Sequence, residues 1–220
     1  MCRFLLYRSN HELPLAPFLE KFSLMAERSR SPDGDRQGDG WGACWWSRGR
    51  WEGYRSLEPV WRDSWRSVPS GTHLVLHARS SSFPDQRGVV EFNQPFFGRE
   101  GSWAFVFNGL LRGVTLPSGL PGRIGSERLF ALLGVYLKRF PPKQALEKLC
   151  ELLGGRVREE AALNVAIATR ERFYVLNKYS GSGEYYRLFF RESPEGVLIS
   201  SEPLEGLELD PLPRGRVLAL

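Results

Sequence analysis

The chain opens Met1-Cys2-Arg3-Phe4-Leu5-Leu6-Tyr7. Removal of Met1 would make Cys2 the N-terminus, so that one residue carries both a thiol nucleophile and a free α-amine. Such an amine has a pKa of about 7.7–8.0 and suits general-base work near neutral pH. An N-terminal nucleophile served by its own amine is an established alternative to a Ser-His-Asp arrangement. A cysteine at this place can equally be a small core residue of a first strand. Cys44, in an apolar Trp-rich strand, and Cys150, in a helix, read as core. Three cysteines without close spacing suggest no disulfide framework, and a reducing compartment, the cytoplasm, is expected. His11, His73 and His77 lack metal-ligand spacing.

The elements that must position these groups follow from periodicity. Residues 2–8 read as a strand and 15–28 as a helix with Phe18, Phe22 and Met25 on one face. Gly38-Asp39-Gly40 marks a turn. Strands are predicted at 41–47, 50–56 and 72–79, with irregular chain over 88–101. A strand over 102–107 is expected to end at Asn108-Gly109, a strong turn dipeptide. Gly113 to Gly125 is a loop broken by two prolines. Ser126 is expected to cap a helix over 127–140, and a second helix runs from Pro142 to Leu153. Further strands fall at 162–169, 172–179, 185–191, 197–200 and 215–219. Two helices mid-chain between runs of strands imply sheets covered by helices.

At 220 residues one domain is expected. The net charge of +5 comes from scattered arginine rather than a basic stripe; such a balance suits anionic small molecules or weak, salt-sensitive contact with nucleic acid, and a solvated surface is the favoured reading. The Trp41 to Trp65 segment admits a base-stacking reading but fits paired strands at least as well. No apolar run is long enough to span a bilayer, and no signal peptide is read before Cys2.

Five short signals fall in order: Cys2; Gly38-Asp39-Gly40-Trp41-Gly42; His77-Ala78-Arg79-Ser80; Asn93-Gln94-Pro95-Phe96; and Phe107-Asn108-Gly109-Leu110. Near the end, Ser200-Ser201-Glu202-Pro203-Leu204 precedes Leu212-Pro213-Arg214-Gly215. Together they resemble the class II glutamine amidotransferases of the N-terminal-nucleophile hydrolase superfamily. The likeness is to the short standalone branch that includes the ergothioneine-pathway amidohydrolase. The resemblance implies a mixed α/β (α+β) four-layer αββα sandwich, with residues 1–220 forming one type-2 glutamine amidotransferase domain. It implies cleavage of glutamine or a γ-glutamyl amide through a Cys2 thioester, without cofactor or metal. Any ammonia-accepting synthase would sit on another chain or be absent. A silent member that binds a ligand or partner through the old pocket is the alternative.

In that likeness Cys2 attacks the amide, while the Asn108 amide and the Gly109 N–H hold the oxyanion. Arg79 forks onto the substrate α-carboxylate. Gly40 and Trp41 pack near the nucleophile, Gln94, Ser126 and Glu127 contribute to substrate binding, and Arg3 orders the terminus. Without the likeness, Asn108-Gly109 is a plain hairpin turn and Arg79 a surface arginine. The chain departs from the pattern at three places. Gln94 and Phe107 replace histidines, and Gly125 replaces the aspartate expected to meet the substrate α-ammonium. Either Glu127 takes over that ion pair or the substrate is not free glutamine.

Overall fold

The computed structural model describes residues 1–31, 34–64, 69–180 and 183–220. β1 (Arg3–Pro14) is followed by α1 (Ala16–Glu27), β2 (Trp41–Ser47), β3 (Arg50–Ser56) and β4 (Ser70–Ala78). Then come β5 (Phe96–Phe97), β6 (Ala104–Arg112), α2 (Gly125–Leu137) and α3 (Pro142–Gly154). The chain closes with β7 (Glu159–Ala168), β8 (Phe173–Tyr179), β9 (Phe189–Ser193), β10 (Gly196–Ser200), β11 (Asp210–Pro211) and β12 (Val217–Ala219). One sheet has the order β11-β9-β10-β1-β4-β2-β3 and the other β12-β8-β7-β6-β5, with every described pairing antiparallel.

Alternation along each strand assigns the layers. On β1, Phe4 and Leu6 face the second sheet, where they meet Ala104, Val106, Ala166 and Val175. Leu5 and Tyr7 face the other way and pack with Leu19, Phe22 and Met25 of α1. On β6, Phe105 faces α2 and α3, meeting Leu129, Leu133, Leu146 and Leu149. The result is helix, sheet, sheet, helix. A central strand covered on both faces explains the uninterrupted Phe4-Leu5-Leu6 run, each residue fully buried. Burial of each of these side chains contributes about 1.5–3 kcal/mol.

Several boundaries differ from expectation. β1 continues to Pro14 past a register break between Arg8 and Leu13. Asn108-Gly109 is no turn: β6 runs straight through it, with Asn108 opposite Asn164 and Gly109 opposite Leu163. Here long-range pairing overrides a local turn preference. The glycine is needed because a Cβ there would lie 2.3 Å from the Ala162 carbonyl oxygen. Ser126 is not a cap, because α2 starts one residue before it, after Ile124. Tyr185 and Tyr186 lie in a short 3-10 turn ahead of β9. The Trp-rich segment forms the β2–β3 hairpin, with Trp41 and Trp51 buried and Trp46 edge-on to Trp51 at 5.6 Å. That packing takes Trp41 and Trp51 out of any stacking surface; Trp65 lies outside the described residues.

Candidate active site

The N-terminal segment is anchored immediately after Cys2. Arg3 is fully buried and forms an ion pair with Glu202, and its guanidinium lies 4.1 Å from the centre of the Tyr185 ring. Glu202 also accepts the Arg30 N–H at 3.0 Å. Ser201 Oγ accepts the Phe4 N–H at 2.7 Å and donates to the Phe4 carbonyl at 2.9 Å. The Ser200–Leu204 signal therefore staples residues 3 and 4. Pairing of Arg3 with Ala78 then sets Cys2 beside the end of β4, where Cys2 Sγ lies 3.6 Å from the Ser80 carbonyl oxygen.

The residues after β4 are held by the Gly38–Gly42 segment. Arg79 N–H donates to Gly40 O at 2.8 Å, Asp39 N–H to Arg79 O at 3.0 Å, and Ser81 N–H to the Asp39 carboxylate at 2.7 Å. Gly40 has φ +100°, and a Cβ there would lie 2.2 Å from Asn93 Nδ2. Only glycine accepts both conditions cheaply. Trp41 faces α1 instead, fully buried, with Nε1 donating to Asp63 at 2.8 Å. Gly40 and Trp41 are thus supports and do not line the cavity at Cys2, contrary to the substrate-contact expectation.

That cavity, of about 150 Å³, is bounded by Cys2, Arg79, Ser80, Ser81, Gln94, Gly109, Gly125 and Ser126, with apolar walls from Leu110 and Leu129. Arg79 is 5% exposed. Its Nη2 donates to Ser81 Oγ at 3.3 Å, while Nη1 is buried without a partner. A buried guanidinium with an unused donor is poised for an anion. Gly125 and Ser126 present the first turn of α2, the positive end of its dipole, to the same space. Burial pushes the Cys2 thiol up, opposed by the N-terminal ammonium, the Ser80 contact and Arg79. The thiol therefore needs a base to react.

Behind the cavity, Gln94 treats Phe107 as a strand partner. Phe107 N–H donates to Gln94 Oε1 at 2.6 Å, and Phe107 O accepts from Gln94 Nε2 at 3.4 Å. In an antiparallel ladder, main-chain groups alternate between the two sides of a strand. Phe107 points away from β7, and Gly109, two residues on, points its N–H the same way, to the unpaired edge at the cavity. His77 Nε2 donates to the same Phe107 carbonyl at 3.3 Å. Burial lowers the His77 pKa to about 3, so this ring is a neutral strut and not a base. Asn108 lies 1% exposed on the sheet's inward face with Oδ1 unpartnered. Asn108, Asn164 and Asn177 stand in a cross-strand row there. Asn108 is flanked by Phe107 and Gly109, which line the cavity.

Glu127 is elsewhere. Its carboxylate accepts the Arg123 and Ile124 N–H groups ahead of α2 and faces a larger groove of about 1190 Å³, with Phe96, Trp103 and Phe130. The lining residues of that groove include no cysteine or histidine, and its size alone does not make it a reaction site. Glu127 is therefore a helix-end residue, and the carboxylate absent at Gly125 is not restored by it. Ser81, Asp39 and His77 are site residues whose roles were not read from the chain. Two of them lie inside the quoted motifs, but their partners become visible only in three dimensions. Among the described residues no cluster of three or more His, Cys, Asp or Glu could hold a metal ion. No helix among them is long and apolar enough to cross a membrane.

No family model matches the chain. No curated protein matches it either. Solved structures do share its fold. A glutamine aminotransferase class-II domain protein from Silicibacter pomeroyi superposes with a TM-score of 0.67 at 20% identity, covering 99% of this chain and 94% of that one. A predicted glutamine amidotransferase from Pseudomonas aeruginosa gives 0.57 at 15% identity, covering 99% and 92%. The glutamine phosphoribosylpyrophosphate amidotransferase of B. subtilis gives 0.58 at 16% identity; the match covers 91% of this chain but 42% of that one. At these identities the likeness establishes the four-layer fold.

Proposed function

We propose that this chain is an amidohydrolase of the class II glutamine amidotransferase kind, cleaving glutamine or a γ-glutamyl amide with Cys2 as N-terminal nucleophile once Met1 is removed. The observation that carries the reading is convergence. The Cys2 thiol, the Arg79 guanidinium with its unused donor and the outward Gly109 N–H meet at one cavity. A nucleophile, an anion grip and an oxyanion donor are what acyl transfer requires. The solved structures named for glutamine amidotransferase activity support the same reaction class.

In this mechanism the α-amine of Cys2 takes the thiol proton as Sγ attacks the amide carbon. A C–S bond forms, and the carbonyl π electrons move onto oxygen, which faces Gly109 N–H. The tetrahedral centre collapses, the C–N bond breaks, and the proton passes to departing ammonia or amine. Water then attacks the thioester, releasing the carboxylic acid and restoring the thiol. Arg79 holds the α-carboxylate throughout. Residues 1–220 act as one domain. The test is ammonia or amine release from L-glutamine and γ-glutamyl amides by Met1-free protein and by Cys2→Ala. Turnover in the first and none in the second supports the reading; release unchanged by Cys2→Ala contradicts it.

A further inference from the structure

The terminal ammonium of Met1 occupies a small polar corner beside Cys2. It lies 2.5 Å from the Asp35 carboxylate and 3.1 Å from Ser80 Oγ, and Ser80 Oγ also donates to Asp35. The Met1 side chain is 9% exposed and that of Asp35 31%. A carboxylate and a hydroxyl converging in a partly dry corner form a site for an ammonium group. Ser80 joins the corner to the reaction cavity, which it lines beside Arg79, and its carbonyl oxygen contacts Cys2 Sγ. Excision of Met1 removes the ammonium that Asp35 and Ser80 hold there. Cys2 itself stays in place, because Arg3 is tied to Glu202 and paired with Ala78.

Resting on the amidase reading above, we propose that Asp35 and Ser80 form the subsite for the substrate's α-ammonium, with its α-carboxylate on Arg79. The two charged groups of an α-amino acid leave one carbon, and Arg79 and Ser80 are adjacent residues of one strand end. In glutamine the reacting carbonyl carbon is four bonds from the ammonium nitrogen, a span of roughly 5 Å at ordinary bond lengths. Such a span suits a ligand held at Ser80 while Sγ reaches its amide. The subsite supplies the carboxylate that Gly125 lacks and that Glu127, committed to the start of α2, does not provide. The competing occupant is the freed amine of Cys2, one residue along the chain.

The experiment compares L-glutamine with glutaramate, which keeps the amide and the far carboxylate but has no ammonium. Met1-free parent, Asp35→Asn, Ser80→Ala and Asp35→Asn/Gly125→Asp are assayed after confirming mass and melting temperature. Asp35→Asn is expected to lower kcat/KM for glutamine at least tenfold, chiefly through KM, and to change glutaramate less than twofold. Ser80→Ala shifts the same way by less. Gly125→Asp recovers glutamine in the Asp35→Asn background, since no atom lies within 4 Å of a Cβ at residue 125. Equal loss on both substrates, through kcat, would overturn the subsite and assign Asp35 to the Cys2 amine. A parent that hydrolyses neither substrate removes the amidase reading. Calorimetry on Cys2→Ala protein then still decides the subsite. A preference for glutamine over glutaramate that Asp35→Asn abolishes supports it; equal binding of both contradicts it.

Discussion

The Gln94 side chain pairs with the Phe107 main chain through both an acceptor at 2.6 Å and a donor at 3.4 Å, standing in for a strand residue beyond the short β5. It braces the edge of β6 from which Gly109 offers its N–H to the cavity.

Replacement of Gln94 by Ala removes both bonds and strands a buried N–H. We expect a loss of about 1–3 kcal/mol in denaturant unfolding. We also expect a fall in kcat of at least tenfold with a smaller change in KM, because the oxyanion donor loses its brace. Unchanged kcat would remove Gln94 from the positioning of Gly109.

Arg79→Lys keeps a charge but loses the planar fork. KM for glutamine should rise at least tenfold, and a substrate amide without the α-carboxylate should be nearly indifferent to the change. Equal sensitivity of both substrates would argue against the carboxylate contact.

Arg3→Ala leaves Glu202, 8% exposed, without its buried partner. Breaking such a pair costs about 3–5 kcal/mol, read as a lower denaturant midpoint. Arg3→Met/Glu202→Gln should recover much of the loss by removing both charges. A double variant as unstable as Arg3→Ala would show that packing of Arg3 against Tyr185, and not the unpaired charge, sets the cost.

His77 makes stability depend on pH in a fixed direction. Its folded pKa is about 3, below the ordinary 6.5, because burial disfavours the charged ring. The unfolded chain therefore binds this proton more tightly between those values. The contribution is complete above about pH 6.5 and is lost as pH falls toward 3. His77→Gln keeps a donor for the Phe107 carbonyl and cannot titrate. Melting temperature measured from pH 7 to 4 should fall more steeply in the parent than in this variant. Parallel curves would contradict the buried neutral ring.

Much of the fold was legible because its patterns are local. The β2–β3 hairpin bounds match the expected 41–47 and 50–56, and α3 follows the spacing of Leu146, Leu149 and Leu153. Asn108-Gly109 was misread because turn preference is local. The partner that keeps β6 extended, β7, arrives some fifty residues later. Cys2, Arg79, Gln94, Gly109 and Ser126 line one cavity. Gly40, Trp41 and Glu127 do not, since strand parity turns Trp41 toward α1 and helix-end hydrogen bonding engages Glu127. Asp35 sits in no motif. Its approach to the terminus depends on how the segment after α1 returns to the end of β4, which no short spacing encodes.

The claim on which the rest depends is that Cys2, as the first residue of the mature chain, is the nucleophile. Its most direct test is intact mass and peptide mapping after exposure to the electrophilic glutamine analogue 6-diazo-5-oxo-L-norleucine. The account predicts loss of Met1, one adduct on Cys2 appearing in step with loss of turnover, and no labelling of Cys44, which is fully buried between the sheets. Full turnover by protein that retains Met1, or inactivation that tracks an adduct on Cys44 or Cys150 with Cys2 unmodified, would contradict it.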